Sequence, residues 1–140
     1  QVNEGLLRAI TERAFSRVSY SIMKSESMPH VFAQADVVVS CYSTIILEAL
    51  QYGIPIIIPA LNPIEASLVR FHFSSYVDAR ALYAAYTHSE LSEILLEFAV
   101  RPEMRDSVQK DAQAFLAHNF CFDGNSSQRL ATLIMKLVAR

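Results

Sequence analysis

Residues 35–60 read ADVVVSCYSTIILEALQYGIPIIIPA, and this stretch predicts the fold. Two runs of three β-branched residues, at 37–39 and 56–58, show no polar alternation, which is typical of strands covered on both faces in a parallel sheet. Between them, residues 43–52 have room for about three helical turns. Gly53 ends that helix, and Pro55 prevents its continuation. We therefore predict a strand–helix–strand unit with a right-handed crossover.

The length and composition are those of one ordinary globular domain. The chain has 140 residues, of which 52% are hydrophobic, so a sizeable core is expected. The net charge is −2 and no basic run is present, which argues against a nucleic-acid partner. The apolar stretches are too short to span a bilayer. Cys41 and Cys121 lack metal-site spacing, and we expect both to be small buried residues.

Further elements are predicted on both sides of this unit. Helical spacing covers residues 3–15, an alternating pattern predicts a strand at 18–23, and caps at 25–27 begin a short helix that runs to about Gln34. After a loop at residues 61–64, we expect a short helix at 65–71. A brief strand is predicted at Tyr76 and Val77.

The last third of the chain is predicted to be helical. Thr87 and Glu90 form a capping box, Pro102 opens the next helix, and a final helix carries residues 130–138. The element order predicts the α/β class, with a Rossmann-like parallel sheet flanked by helices and a helical C-terminal third. We expect residues 1–140 to form one domain. No GxGxxG or GxxxxGK[ST] motif is present, so dinucleotide oxidoreduction and P-loop hydrolysis lack their usual support.

Polar side chains follow the first strand of the predicted unit. Ser40, Tyr42, Ser43 and Thr44 come where its carboxyl end meets the next helix, the edge at which open α/β sheets bind ligands. The first amides of that helix and two hydroxyls can bind a diphosphate. Glu48 lies about one turn further on, where a carboxylate can accept bonds from ribose hydroxyls. Alternatively, Glu48 caps backbone amides or pairs with an arginine.

Residues 33–59, AQADVVVSCYSTIILEALQYGIPIIIP, resemble the nucleotide-sugar-binding lobe of GT-B glycosyltransferases. Residues 122–134, FDGNSSQRLATLI, are similar to the closing helix of such proteins. The resemblance implies a C-terminal lobe, truncated at its N-terminal end, that belongs to a larger two-lobe protein and lacks its N-terminal lobe. A nucleotide sugar would be the substrate, with no cofactor. The matching positions are Ser40, Ser43, Thr44, Glu48, Ala49, Gly53 and Pro55.

The resemblance also implies roles for single residues. Glu48 would bind the ribose, His30 would lie near the base, and Glu65 would contact the sugar. Arg70, followed by His72, would neutralise the phosphates; the alternative for both histidines is a solvated surface position. Cys41 and Tyr42 stand where many relatives have Gly, Pro or Asp. Tyr42 either stacks on a ring or blocks the phosphate approach.

The residues and the resemblance together leave three functions open. The first is the donor-binding part of a glycosyltransferase of cell-surface polysaccharide assembly. The others are a lobe of a UDP-sugar 2-epimerase and a non-catalytic Rossmann-like binding or assembly module. We expect the chain to be cytoplasmic or peripheral at the inner face of the membrane, and inactive in isolation. We also expect self-association through an exposed sheet edge.

Overall fold

A computed structural model describes Met23 and residues 26–138 of the chain. The chain divides into two compact units between Val31 and Phe32. Helix α1 (Met28–Phe32) crosses that division, and the amides of His30 and Val31 donate to the Ser27 carbonyl at 3.0 and 3.2 Å. The helix predicted at residues 3–15 lies outside the described residues, as does the strand predicted at 18–23 apart from Met23.

The second unit is built on a three-stranded parallel sheet of order β1–β2–β3. Val38 pairs with Ile56 and Ile57 pairs with Tyr83, both in parallel register. This topology confirms the predicted α/β class and is compatible with a Rossmann-like fold. The elements are β1 (Val38–Val39), α2 (Ile45–Gln51), β2 (Ile56–Pro59), α3 (Pro63–His72), α4 (Ser74–Asp78), β3 (Tyr83–Ala85), α5 (His88–Val100), α6 (Pro102–Asn119) and α7 (Ser126–Val138).

The central strand–helix–strand unit forms as predicted, and Gly53 determines how its helix ends. The Gly53 amide donates to the Leu50 carbonyl at 3.0 Å, and the Ile54 amide donates to the Ala49 carbonyl at 3.1 Å. These two bonds are the Schellman pattern, which requires a left-handed residue after the helix. Gly53 has φ +69° and meets that requirement without steric cost. The chain therefore turns directly from α2 into β2.

The core lies around β2. Ile56, Ile57 and Ile58 are all fully buried, and since successive strand residues point to opposite faces, both faces of the sheet are covered at β2. Ile57 belongs to a cluster with Ala85, Phe98 and Val108, which joins the sheet to α5 and α6. Each such side chain contributes about 1.5–3 kcal/mol through its burial.

Helix α2 is amphipathic, with one face buried and the other exposed. Ile46, Ala49 and Leu50 are buried, whereas Glu48 is exposed. Its carboxylate therefore stays hydrated, and no compensating donor is needed. The predicted burial of Cys41 and Cys121 is wrong, since both are exposed.

The strand predicted at Tyr76 and Val77 is wrong, because both residues belong to α4. Their amides donate to the Phe73 carbonyl at 3.1 and 3.0 Å, and the Tyr76 ring lies 4.4 Å from the Phe115 ring. The third strand is β3, which starts seven residues after Tyr76. Its alanines carry little strand propensity, so its pairing with β2 decides its conformation.

Local capping signals are realised at two helices. Asn62 accepts from the Glu65 amide at 2.9 Å, so α3 begins at Pro63, inside the loop predicted at 61–64. Thr87 accepts from the Glu90 amide at 3.1 Å, and the Glu90 carboxylate accepts from the Tyr86 amide at 2.6 Å. The helical C-terminal third is thereby confirmed in α5, α6 and α7. Over the described ranges, no helix is both long and apolar enough to cross a membrane.

Candidate functional site

An open groove of about 340 Å³ lies beyond the carboxyl end of β1. One wall comes from the start of α2, and the other comes from the end of α3 and from α4. The lining residues are Tyr42, Ser43, Thr44, Leu47, His72, Phe73 and Tyr76. Three of the residues predicted from the sequence, Tyr42, Ser43 and Thr44, therefore meet in one place. Their position matches the edge at which parallel sheets bind ligands.

Tyr42 joins the two walls of the groove. Its backbone has φ +43°, a left-handed conformation that is uncommon outside glycine. The hydroxyl donates to the backbone carbonyl of Glu65, and the ring lies 6.0 Å from the Phe73 ring. Partial desolvation raises the pKa of the Tyr42 hydroxyl, and the Glu65 carboxylate adds to the rise. The hydroxyl therefore remains a proton donor at neutral pH.

Ser43 and Thr44 present hydroxyl groups at the start of α2. The Ser43 Oγ accepts from the Ile45 amide at 3.3 Å, while Thr44 is the N-cap residue and makes no side-chain capping bond. Both residues are exposed. Their hydroxyls can donate to the oxygen atoms of a ligand in the groove.

Glu48 lies one helical turn after Thr44. Residues four positions apart share one helix face, so the carboxylate is on the same side of α2 as the groove wall. Glu48 is exposed, and its carboxylate forms no hydrogen bond or ion pair with the described residues. Within those residues, neither the backbone cap nor the arginine pair that we considered is formed. Its carboxylate can therefore accept hydrogen bonds from a ligand.

The remaining predicted residues do not line the groove. The Glu65 carboxylate accepts from the Leu61 amide at 3.0 Å, which holds the turn before α3. The Arg70 guanidinium lies 5.9 Å from the centre of the Tyr86 ring. The Ser40 amide extends the sheet through a 3.1 Å bond to the Ile57 carbonyl. His30 is exposed in α1 and belongs to the first compact unit.

Two of the aromatic residues that line the groove were not predicted from the sequence. Phe73 and Tyr76 line the groove with rings 5.7 Å apart, and neither was predicted from the sequence to be a site residue. Both are partly exposed, as a wall of an open groove requires. His72 also lines the groove, as its place after Arg70 suggested. Phe71 is not among the residues that line the groove, and it is 82% exposed. A run of aromatics next to a helix end was the only available signal.

The side chains of the groove are suited to binding a ligand. Its aromatic rings can stack on a planar ligand, and its hydroxyls and the His72 ring can bond to oxygen atoms. Nearby, the Cys41 thiol lies 3.6 Å from the Pro59 carbonyl, and partial desolvation and Glu65 raise its pKa. The thiol is therefore protonated at neutral pH and a poor nucleophile. The described part of the chain holds no group of His, Cys, Asp or Glu side chains able to bind a metal ion.

Comparisons with protein-family models, curated proteins and solved structures find no match for this chain. The groove and its residues are therefore the basis on which a function can be assigned. Its place at the sheet edge and the types of its side chains both favour a ligand with a planar ring and several oxygen atoms.

Proposed function

We propose that the chain is the donor-binding C-terminal part of a glycosyltransferase. On this proposal it binds a nucleotide-activated sugar, and the full-length enzyme transfers that sugar in cell-surface polysaccharide assembly. The observation that carries the proposal is the convergence of Tyr42, Ser43 and Thr44 on one groove beyond the carboxyl end of β1. The proposed location is the cytoplasm or the inner face of the membrane.

Each part of the donor has a counterpart in this region. The rings of Tyr42 and Phe73 offer a surface on which a base or a sugar can stack. The hydroxyls of Ser43 and Thr44, with the His72 ring, can bond to phosphate oxygens. Glu48, exposed on the same side of α2, can accept bonds from ribose hydroxyls.

A second candidate is a non-catalytic binding module. Among the described residues, no lysine or arginine lines the groove, because the Arg70 guanidinium lies over the Tyr86 ring. A diphosphate would then depend on hydroxyls, amides and a histidine for its stabilisation. The lack of a cation in the groove favours weak binding of a diphosphate, or a ligand without phosphates.

Titration calorimetry with nucleoside diphosphates distinguishes the donor-binding proposal from the non-catalytic binding module. The donor-binding proposal predicts saturable binding that Tyr42→Ala weakens by about tenfold, because a stacked ring contributes roughly 1–3 kcal/mol. The matched control is Ser92→Ala, which removes an exposed hydroxyl from α5, bonded only to the His88 carbonyl, and leaves the affinity unchanged. Absence of saturable binding by every nucleoside diphosphate would favour the non-catalytic module.

A crystal soaked with the diphosphate that binds best adds a positional test. Phosphate oxygens are expected within about 2.7–3.2 Å of the amides or hydroxyls of Ser43 and Thr44. Phosphates bound elsewhere, with this end of α2 empty, would contradict the proposal.

A further inference from the structure

The groove contains two tyrosines whose hydroxyl groups are used differently. The Tyr42 hydroxyl donates to the backbone carbonyl of Glu65, so it is already bonded within the protein. The Tyr76 hydroxyl forms no hydrogen bond with any residue that the structure describes. Both tyrosines line the groove, and both are partly exposed. Of the two hydroxyls, that of Tyr76 is therefore the one that can still bond to a ligand.

The ring of Tyr76 is held by three other aromatic rings. Its centre lies 4.4 Å from that of Phe115, 5.7 Å from that of Phe73 and 6.5 Å from that of Phe120. Phe115 is buried on α6 and Phe120 follows that helix, and neither of them lines the groove. A tyrosine has only two side-chain torsions, and packing against three rings restricts both. The hydroxyl is therefore held at a nearly fixed position, which lowers the entropy cost of binding a ligand.

The ring contacts of Tyr76 do not require its hydroxyl. Tyr76→Phe would keep the contacts with Phe73 and Phe115, because the aromatic ring alone forms them. A partly desolvated hydroxyl that has lost water and has no protein partner is unfavourable. Partial burial raises the pKa of the Tyr76 hydroxyl, so the group is a proton donor at neutral pH. Within the described residues, it lacks an oxygen atom that accepts this bond.

The place of Tyr76 in the groove complements that of the other hydroxyls. Tyr76 belongs to α4, which forms one wall together with the end of α3. Ser43 and Thr44 lie at the start of α2, on the other wall. A ligand in the groove can therefore receive hydrogen bonds from both walls.

We infer that the Tyr76 hydroxyl donates a hydrogen bond to an oxygen atom of the bound ligand, and that it selects ligands with an acceptor there. The inference rests on the proposed function, because it takes the nucleotide part of a sugar donor as the ligand. On this inference the Tyr42 hydroxyl stabilises the protein, and the Tyr76 hydroxyl stabilises the complex.

Conservative replacement of each tyrosine separates these two roles. In calorimetry with the full chain, Tyr76→Phe should weaken the binding of nucleoside diphosphates about fivefold, because one hydrogen bond is lost. Its urea midpoint should equal that of the wild type, since no bond within the protein is removed. Tyr42→Phe should instead lower the urea midpoint by about 0.5 M, because the Glu65 carbonyl loses its donor.

The matched control is Tyr83→Phe. Tyr83 is also partly exposed, its ring lies 5.4 Å from that of Phe98, and burial raises the pKa of its hydroxyl. It belongs to β3, does not line the groove, and its hydroxyl forms no hydrogen bond with the described residues. Tyr83→Phe should therefore leave both the affinity and the urea midpoint unchanged.

Comparing nucleoside diphosphates identifies the oxygen atom that accepts the bond. The base of adenosine diphosphate has no carbonyl oxygen, whereas the bases of the uridine, cytidine and guanosine diphosphates have one or two. A loss of affinity that spares adenosine diphosphate would support a bond to the base. An equal loss for every nucleotide would support a bond to the ribose and phosphates that they share.

Three results would overturn the inference. Unchanged affinity in Tyr76→Phe, while Tyr42→Ala still weakens binding, would refute it and leave the proposed function standing. A fall in the urea midpoint of Tyr76→Phe as large as that of Tyr42→Phe would refute it too, since the hydroxyl would then have a partner within the protein. Absence of saturable binding of every nucleoside diphosphate to the wild type would remove the proposed function and this inference together.

Discussion

Replacing Gly53 by alanine should destabilise the fold by about 2–3 kcal/mol. Gly53 has φ +69°, and a left-handed conformation costs a non-glycine residue about 1–2 kcal/mol. A Cβ at this position would also lie 2.6 Å from the Nε2 and 2.8 Å from the Cγ of Gln109 on α6. Moving the Gln109 side chain to another rotamer costs about 0.5–1.5 kcal/mol more. The total loss is the sum of the backbone cost at Gly53 and the rotamer cost at Gln109, since the new Cβ imposes both.

The chain offers a matched control for the first term alone. Gly124 has φ +75°, and a Cβ there would meet no atom within 4 Å. Gly124→Ala should therefore cost only the conformational term, about 1–2 kcal/mol. The double variant Gly53→Ala with Gln109→Ala should recover about 1 kcal/mol relative to Gly53→Ala, because the obstructing side chain is gone.

Urea unfolding followed by circular dichroism measures these differences, provided that the slope of free energy against urea is the same in all variants. Gln109→Ala alone should be close to neutral, since Gln109 is exposed on a helix. Equal losses for Gly53→Ala and Gly124→Ala, with no recovery in the double variant, would refute the role of the Gln109 contact. A stabilising effect of Gly53→Ala would refute the conformational argument as well.

Other predictions concern ligand binding, the core, the ion pair and activity. Glu48→Gln should leave stability unchanged, because Glu48 is exposed, and should weaken donor binding about tenfold in calorimetry; unchanged affinity would exclude the ribose contact. Phe98→Ala should cost about 3–5 kcal/mol in urea unfolding, because Phe98 is 1% exposed and its ring meets Tyr83 edge-on at 5.4 Å. Hydrogen bonds from Arg129 and a backbone amide lower the pKa of Asp123 from 3.8 to about 2. The Asp123 carboxylate therefore stabilises the start of α7 above about pH 4, and this stabilisation is lost as the pH falls through about 2. Amide exchange in α7 should follow that pH dependence in the wild type and not in Asp123→Asn. If the chain is the donor-binding lobe that we propose, it should release no nucleoside diphosphate from nucleotide sugars with acceptors, because one lobe cannot hold both substrates in reacting geometry; sustained turnover would contradict that expectation.

Local patterns in the sequence were sufficient for the elements of the central unit. The β-branched runs at 37–39 and 56–58 predicted the two strands, and Gly53 predicted the end of the helix between them. The Thr87 and Glu90 cap was also readable in advance. These features depend on a few neighbouring residues, because backbone conformation, capping bonds and periodicity act over one or two turns.

The tertiary structure decided which side chains reach the groove and which faces are covered. Tyr76 was expected in a strand, yet its ring packs on Phe115, almost forty positions later, and its backbone is helical. Glu65 was expected to contact a sugar, and that contact stays a prediction; the tertiary structure adds that its carboxylate accepts from the Leu61 amide. Glu48 is exposed because distant elements cover only the opposite face of α2. A sequence pattern defines the faces of an element, but contacts between residues far apart in the chain determine which of those faces are buried.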